Sequence, residues 1–313
     1  MSLTVAYMTN RHNPEIRWFA DSLRNQMRAR EVSRVIIVDF WAQAMPNDGW
    51  SVEDMNKRLA FIANECNGLP LIITPPMPNV WSGPYRLPKD NWFSASASRN
   101  TSILYCETDW LAYCDDLSVL SPQWMDCVRD AIHGNYVAFG TYRKVRNLVV
   151  KDGLIESFDT PSIDTRIKQT TQDVSRCDGG WLYGCSLVGP LEAFLKVNGW
   201  PLFCDGLSSE DCCMGKCMQN AKCDLRFDRR MLTTESEEGH WREHGFKKAD
   251  KGPAGTESDK SHRALRMSER ATRFANGFDI RQLRAETLAG KPFDRVFGDT
   301  HDWFDGTYIG DAV

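Results

Sequence analysis

The sequence lacks any long hydrophobic run. Nothing in it approaches the roughly 18 apolar residues that a membrane-spanning helix needs; Val35-Ile36-Ile37-Val38 is typical of its apolar stretches. The start, Met1-Ser2-Leu3-Thr4-Val5, has no basic region followed by an apolar segment, so no secretory signal is expected there. Strong net charge is also missing. Lys and Arg total 38 against 42 Asp and Glu, a formal charge of -4, which does not describe a strongly basic nucleic-acid binder. No GxGxxG and no GxxxxGK[ST] follows the first apolar run, which argues against a dinucleotide dehydrogenase and a P-loop enzyme. No internal repeat is visible.

What remains is an ordinary globular composition. Of 313 residues, 42% are hydrophobic and 26% charged, which suits one large domain, or one domain with an appendage. The 11 cysteines are odd in number, and with no secretion signal they read as reduced thiols in a cytoplasmic protein. Cys204, Cys212, Cys213, Cys217 and Cys223 invite a zinc site. However, Met214, Cys217, Met218 and Ala221 recur at helical spacing, so they predict an apolar helix face on which cysteine is a small core residue.

The first half alternates between short apolar runs and helical periodicity. Strands are predicted at Leu3–Met8, Val35–Val38, Leu71–Ile73 and Trp110–Tyr113. Helices are predicted after Ile16, over Ser51–Asn67, Ser94–Cys106 and Gln123–Ile132. Such alternation predicts an α/β fold with a largely parallel sheet whose strands are buried on both faces. The second half is less regular. Tyr136–Tyr142, Leu148–Val150, Leu154–Phe158 and Trp181–Val188 predict strands, and 161–178 reads as loop. Helices are predicted at Leu191–Val197, Ser209–Asn220, Ala264–Phe274 and Ile280–Leu288, with a Gly- and Lys-rich loop over Phe246–Lys260.

In open parallel sheets ligands bind outside the carboxyl ends of the strands. The residues just after each strand are therefore the candidates, including Thr9, Asn10, Arg11, Asp39, Asp115 and Asp116. Asp115 and Asp116 end an apolar strand, where paired carboxylates suit Mg2+ or Mn2+ and a diphosphate, or simply a turn. Glu210 and Asp211 form a second acidic pair at a helix start. There Ser208 and Asp211 fit a capping box, and Asp211 equally fits a general base.

The order of these segments resembles the inverting family 2 glycosyltransferases with a GT-A fold, over roughly residues 3–240. Leu3–Asn10 looks like the opening strand of that family, and Val35–Asp39 resembles the second strand, whose terminal Asp contacts the nucleotide base. Ala97-Ser98-Arg99-Asn100, Asp109-Trp110-Leu111 and Asp115-Asp116 resemble the segment leading to the DxD metal motif. Gly179–Ser186 looks like the acceptor-side strand, Leu191–Trp200 the helix and turn after it, and Ser209-Glu210-Asp211 the ED motif. A strict DxD would place an acid at Leu117, which leaves the division of labour between Asp115 and Asp116 open.

The resemblance implies a GT-A catalytic domain over 1–240, with a helical extension over 241–313 packing on it. It implies a nucleotide-sugar donor, UDP-linked by family frequency, and a Mn2+ or Mg2+ cofactor. Asp116, Asp115 and His240 are the implied metal ligands, with His244 as alternative to His240. Thr9, Asn10, Arg11, Asp39, Arg99 and Trp181 are the implied donor contacts, and Asp211 beside Glu210 is the implied base. The acceptor stays open between a glycan, a small molecule, a protein and a hydroxymethylated pyrimidine in DNA. The DNA option draws on eleven Lys and Arg against six Asp and Glu between His240 and Arg284. Two other classes compete: a nucleotidyltransferase, disfavoured by the absence of Gly in Thr9–Pro14, and a non-catalytic glycan-binding protein.

Overall fold

The computed structural model of the chain describes residues 2–11, 13–39, 42, 51–77, 95–205, 210–237 and 278–291. Among them a single mixed sheet runs through the molecule. Its first four strands are β1 (Leu3–Thr9), β2 (Val32–Asp39), β3 (Leu71–Thr74) and β4 (Trp110–Asp115), joined in parallel in the order β3-β2-β1-β4. Their connections contain α1 (Ile16–Arg24), α2 (Val52–Glu65) and α3 (Ala95–Tyr105). Helix α2 starts where Ser51 and Asp54 close a reciprocal capping box, which satisfies backbone donors that a helix start otherwise leaves unpaired. The apolar runs of β1 and β2 are buried because helices cover both faces of the sheet.

Beyond β4 the sheet changes character. The order continues β9 (Ser186–Pro190), β6 (Val137–Lys151), β10 (Leu225–Ser236) and β5 (Ser118–Leu120), with β7 (Leu154–Ile163) on β6 and β8 (Val174–Arg176) on β10. β9 is antiparallel to both β4 and β6, while β10 runs parallel to β6 and antiparallel to β5 and β8, so this half of the sheet is mixed. Helices α4 (Trp124–Gly134), α5 (Leu191–Lys196) and α6 (Glu210–Asn220) belong to this half.

Three expectations need correction here. Residues 161–178 are more than loop: they hold the end of β7, a 3-10 turn at Thr165–Gln169 and β8. The cause is a buried ion pair, Asp164 with Arg166, which organises a polar stretch that carries no hydrophobic period. Trp181 does not open a strand. Asp178 accepts the Gly180 N–H at 2.7 Å and, through its carbonyl, the Trp181 N–H at 2.9 Å, so Gly179–Trp181 closes as a 3-10 turn before β9. On α6, Met214 and Met218 are buried but Cys217 is exposed, so the apolar face is narrower than the sequence spacing implies. Gly215 occupies that face, where α6 meets Gly179 backbone to backbone with no room for a Cβ on either side.

The last described helix, α7 (Ile280–Leu288), matches its predicted range and packs on α3. Arg284 donates to the Cys106 carbonyl at 2.6 Å, and the Ile280 N–H donates to Asn198 Oδ1 at 2.9 Å. The expected loop at Phe246–Lys260, the helix at Ala264–Phe274 and the domain boundary at 240/241 lie outside the described residues. No described helix is long and apolar enough to cross a membrane.

Candidate active site

Strand register assembles the site. In the parallel half Thr9 pairs with Asp39, and Met8 pairs with Asp115. The carboxyl ends of β1, β2 and β4 therefore finish level, and the residues that follow them share one edge of the sheet. Thr9 Oγ1 donates to Asp116 Oδ2 at 3.1 Å, and Arg11 Nε donates to the same oxygen at 3.1 Å. Asp39 is fully buried. Arg58 of α2 clamps both its oxygens, at 2.7 and 2.8 Å, and also donates to the Arg11 carbonyl at 2.6 Å. This bidentate pair fixes the 9–11 loop to the end of β2.

The turn after β4 is tight. Leu117 is buried with φ of 56°, a left-handed conformation that costs a leucine about 1–2 kcal/mol. Three contacts hold it: the Tyr7 hydroxyl accepts the Leu117 N–H at 3.1 Å, the Ser236 N–H donates to the Leu117 carbonyl at 3.1 Å, and Ser118 Oγ donates to the Asp115 carbonyl at 2.6 Å. Strained, over-determined turns of this kind are characteristic of functional sites. Here it sends two adjacent carboxylates to different partners, Asp115 to Arg99 and Asp116 to Thr9 and Arg11.

The second acidic pair arrives from α6, and a single arginine receives it. Arg99 of α3 is 2% exposed and lies under three carboxylates: Asp115 at 3.2 Å, Glu210 at 3.1 Å and Asp211 at 2.9 Å. Its guanidinium also stacks 4.5 Å from the Trp200 ring centre. Helix α3 is held in place at both ends of that contact. Asp205 accepts the N–H groups of Ser96 and Ala97 at 2.6 and 3.1 Å, and Asn100 exchanges hydrogen bonds with the Trp200 backbone at 2.7 and 2.9 Å. Gly184 makes the meeting possible, because a Cβ there would collide with the Arg99 guanidinium and the Asp211 carboxylate.

The charges in this cluster are unbalanced. Burial works against the positive charge of Arg99, but Asp211, Asp115 and Glu210 outweigh it and hold the guanidinium firmly protonated. Burial raises the Asp211 carboxyl to about 7. Arg99 opposes the shift, and Glu210 and Asp115 reinforce it. Asp115 is raised too, by burial first and then by Asp116 and Glu210, against the pull of Arg99. Asp211 Oδ1 is buried and close to Arg99 yet has no hydrogen bond of acceptable angle. A carboxyl that titrates near neutrality is suited to accepting a proton.

The structure thus brings Thr9, Arg11, Asp39, Asp115, Asp116, Glu210, Asp211 and Arg99 to one edge, and Asn10 lies buried in the same loop. Arg99 stands beneath the carboxylates and binds them. Trp181 packs edge-on against Phe227 at 5.4 Å, on the core. Ser208, His240 and His244 lie outside the described residues. Sequence reasoning missed two residues. Arg58 had no local motif. Glu235, at the end of β10, is buried beside Lys144, whose Nζ is 3.7 Å from its Oε2. Among the described residues no three His, Cys, Asp or Glu side chains form a ready-made metal cage.

No protein-family model and no curated protein sequence matches the chain. Solved structures do. S. aureus TarS 1-349 in complex with UDP is 14% identical, with a TM-score of 0.50 over 98% of this chain and 74% of that one. GalNAc-T7 with UDP, GalNAc and Mn2+ is 10% identical, with a TM-score of 0.55 over 96% of this chain and 53% of that one. Against a longer S. aureus TarS chain the TM-score is 0.50, and the match spans only 37% of that chain. At these identities the likeness is one of architecture. The protein has a mixed α/β fold, a central sheet flanked by helices, that resembles GT-A glycosyltransferase structures.

Proposed function

We propose that the protein is an inverting glycosyltransferase that moves a sugar from a UDP-linked donor to an acceptor hydroxyl, using Mn2+ or Mg2+. One observation carries this reading. Asp115, at the end of a strand, and Asp211, at the start of a helix, meet on one buried guanidinium at the carboxyl edge of a GT-A-like sheet. Solved structures of similar fold hold UDP, and one also holds Mn2+.

The residues fit a divalent cation. Asp115, Asp116, Glu210, Asp211 and Glu235 outnumber Arg11, Arg99 and Lys144, and buried oxygens of Asp211 and Glu235 are left without hydrogen bonds. An all-carboxylate set selects a hard cation, and such ions commonly take only one or two protein carboxylates and complete their shell with phosphate. Asp115 and Asp116 would hold it, and when bound it offsets charge developing on the leaving diphosphate.

The chain's own residues do the rest. Arg58 holds Asp39 and the Thr9–Arg11 loop rigid for the nucleoside. Arg99 keeps Asp211 in register with Asp115. Asp211 accepts the proton of the acceptor hydroxyl, whose oxygen forms the new bond to the anomeric carbon as the bond to the diphosphate breaks on the opposite side. One displacement inverts the centre.

A thermal-shift panel of nucleoside diphosphates, each with Mn2+ and with chelator, tests the donor site. Stabilisation by UDP that requires the metal is expected. No shift with any nucleotide in either condition overturns the reading. UDP release from a series of UDP-sugars then identifies the sugar, and a panel of glycans, small polyols and hydroxymethylated DNA tests the acceptor.

A further inference from the structure

Two half-buried tyrosines stand together beside the acidic cluster. Tyr183 immediately precedes Gly184, the residue whose missing Cβ leaves room for the Arg99 guanidinium and the Asp211 carboxylate. Two residues on from Tyr183, the Cys185 carbonyl accepts the Asp115 N–H at 3.4 Å. Tyr142 comes from β6. Its ring centre lies 6.0 Å from that of Tyr183, with the two planes tilted by 50°. Lys144 continues the row, its Nζ 5.8 Å from the Tyr142 ring centre. The two rings therefore border the edge where Asp115 and Asp211 meet on Arg99.

The Tyr183 ring is held from one side. Arg166 stacks on it at 4.0 Å and on Phe227 at 4.9 Å. Arg166 is itself buried, pairs with Asp164, and donates to the Gly140 carbonyl at 2.9 Å and to the Trp181 carbonyl. A ring fixed in this way offers a ligand a large amphipathic surface at little cost in side-chain entropy.

Charge decides what such a surface receives. Each cation of the row already has an acid: Arg166 pairs with Asp164, and Lys144 Nζ lies 3.7 Å from Glu235 Oε2. Arg99 is divided among three carboxylates. Arg143, between Tyr142 and Lys144 in the chain, donates to Thr234 and stacks on Phe158, on the other side of the strand. Among the described residues, an anionic acceptor at these rings would meet engaged cations and the acids of the site. A neutral ring with hydroxyls suits both features, its C–H face on the aromatic surface and its hydroxyls toward the acids.

We infer that the acceptor is an uncharged sugar ring, stacked on Tyr183 beside Tyr142, with one hydroxyl presented to Asp211. The proton of that hydroxyl passes to Asp211, and its oxygen bonds to the anomeric carbon as the bond to the diphosphate breaks. The inference rests on the transferase reading of Asp211 and names the acceptor class for it.

The test is UDP release from UDP-sugars by the full chain with Mn2+, measured without acceptor and with three acceptor sets. These are methyl pyranosides and neutral oligosaccharides, carboxylated oligosaccharides, and phosphate-bearing acceptors (ribitol phosphate and hydroxymethylated DNA). The neutral sugars should raise release most. Y183L should then raise the acceptor KM about 10-fold, and Y183F should stay within about threefold of wild type. Y142L, which leaves the Arg166 stack intact, repeats the test at the second ring. In all three the donor KM and the acceptor-free rate should match wild type. Stronger stimulation by carboxylated or phosphate-bearing acceptors, or none by neutral sugars, overturns the inference while acceptor-free release leaves the donor site standing. An unchanged acceptor KM in both Y183L and Y142L, or an equal rise in the donor KM, makes the tyrosines packing residues and also overturns it. If wild type neither binds UDP in the presence of metal nor releases it, the transferase reading falls and takes the inference with it.

Discussion

The molecule buries one arginine at the foot of the 9–11 loop and another at the centre of the acidic cluster, and the two live in opposite electrostatic situations. Arg58 meets one carboxylate, Asp39, in a bidentate pair with both residues buried. Arg99 meets three, none of them fully buried: the Asp115, Asp211 and Glu210 side chains are 33%, 23% and 15% exposed. The first arrangement is complete and holds backbone in place. The second is deficient in positive charge by design of its geometry, which leaves a demand that a cation and a transferred proton can meet. The same guanidinium chemistry is a fastener in one place and an incomplete counter-ion in the other.

The largest effect expected is on turnover. D211N keeps the shape of the site and removes the proton acceptor, so transfer should fall about 10²–10⁴-fold while UDP affinity stays within about twofold, within the scatter of neutral substitutions. Full transfer by D211N in a UDP-release assay would remove Asp211 from the base role.

The arginines should then separate by readout. R58M strands a fully buried Asp39 and should cost about 3–5 kcal/mol in chemical denaturation. R99M strands acids that water reaches, so its stability cost should be smaller, about 1–3 kcal/mol, and its turnover loss the larger of the two. Equal stability losses would erase the distinction drawn between the regions.

The pH profile sharpens it further. Asp211 must be ionised to accept a proton, and its carboxyl is raised to about 7 in the free protein. The acid limb of kcat/KM should therefore inflect near neutrality, with rate rising as pH increases through it. Arg99 opposes that shift, so R99M should move the limb to higher pH. A limb that stays in the ordinary carboxylate range would assign it to another group.

The smallest effect lies on the outer face of α6. Cys217 is exposed and outside the core. C217S should change stability by less than about 0.5 kcal/mol, with or without chelator. A chelator-dependent loss would revive the zinc reading of the cysteine cluster.

The parallel half was legible because its signals are local. Val35–Val38 is a buried strand by its own side chains, and Ser51 with Asp54 caps α2 within one turn. Both acidic pairs were legible for the same reason: adjacent acids at the end of a strand or start of a helix are contiguous in the chain. The mixed half was harder. Residues 161–178 draw their order from the buried Asp164–Arg166 pair and from pairing with β10, and neither leaves a hydrophobic period. Arg99 was visible as a candidate but not in its role, since the contacts that define it come from α3, β4 and α6 together.

By itself, then, the sequence determined where apolar runs alternate with helices, where acids end those runs, and which family that order resembles. Only the tertiary structure decided that Arg58 clamps Asp39, that Arg99 gathers Asp115, Glu210 and Asp211 where Gly184 leaves room for them, and that Glu235 Oε1 lies unsatisfied beside Lys144. The physical reason is one of range. Hydrophobic periodicity and capping act over a few residues, whereas burial and the sharing of charge depend on strand register and on side chains that meet only after the chain has folded.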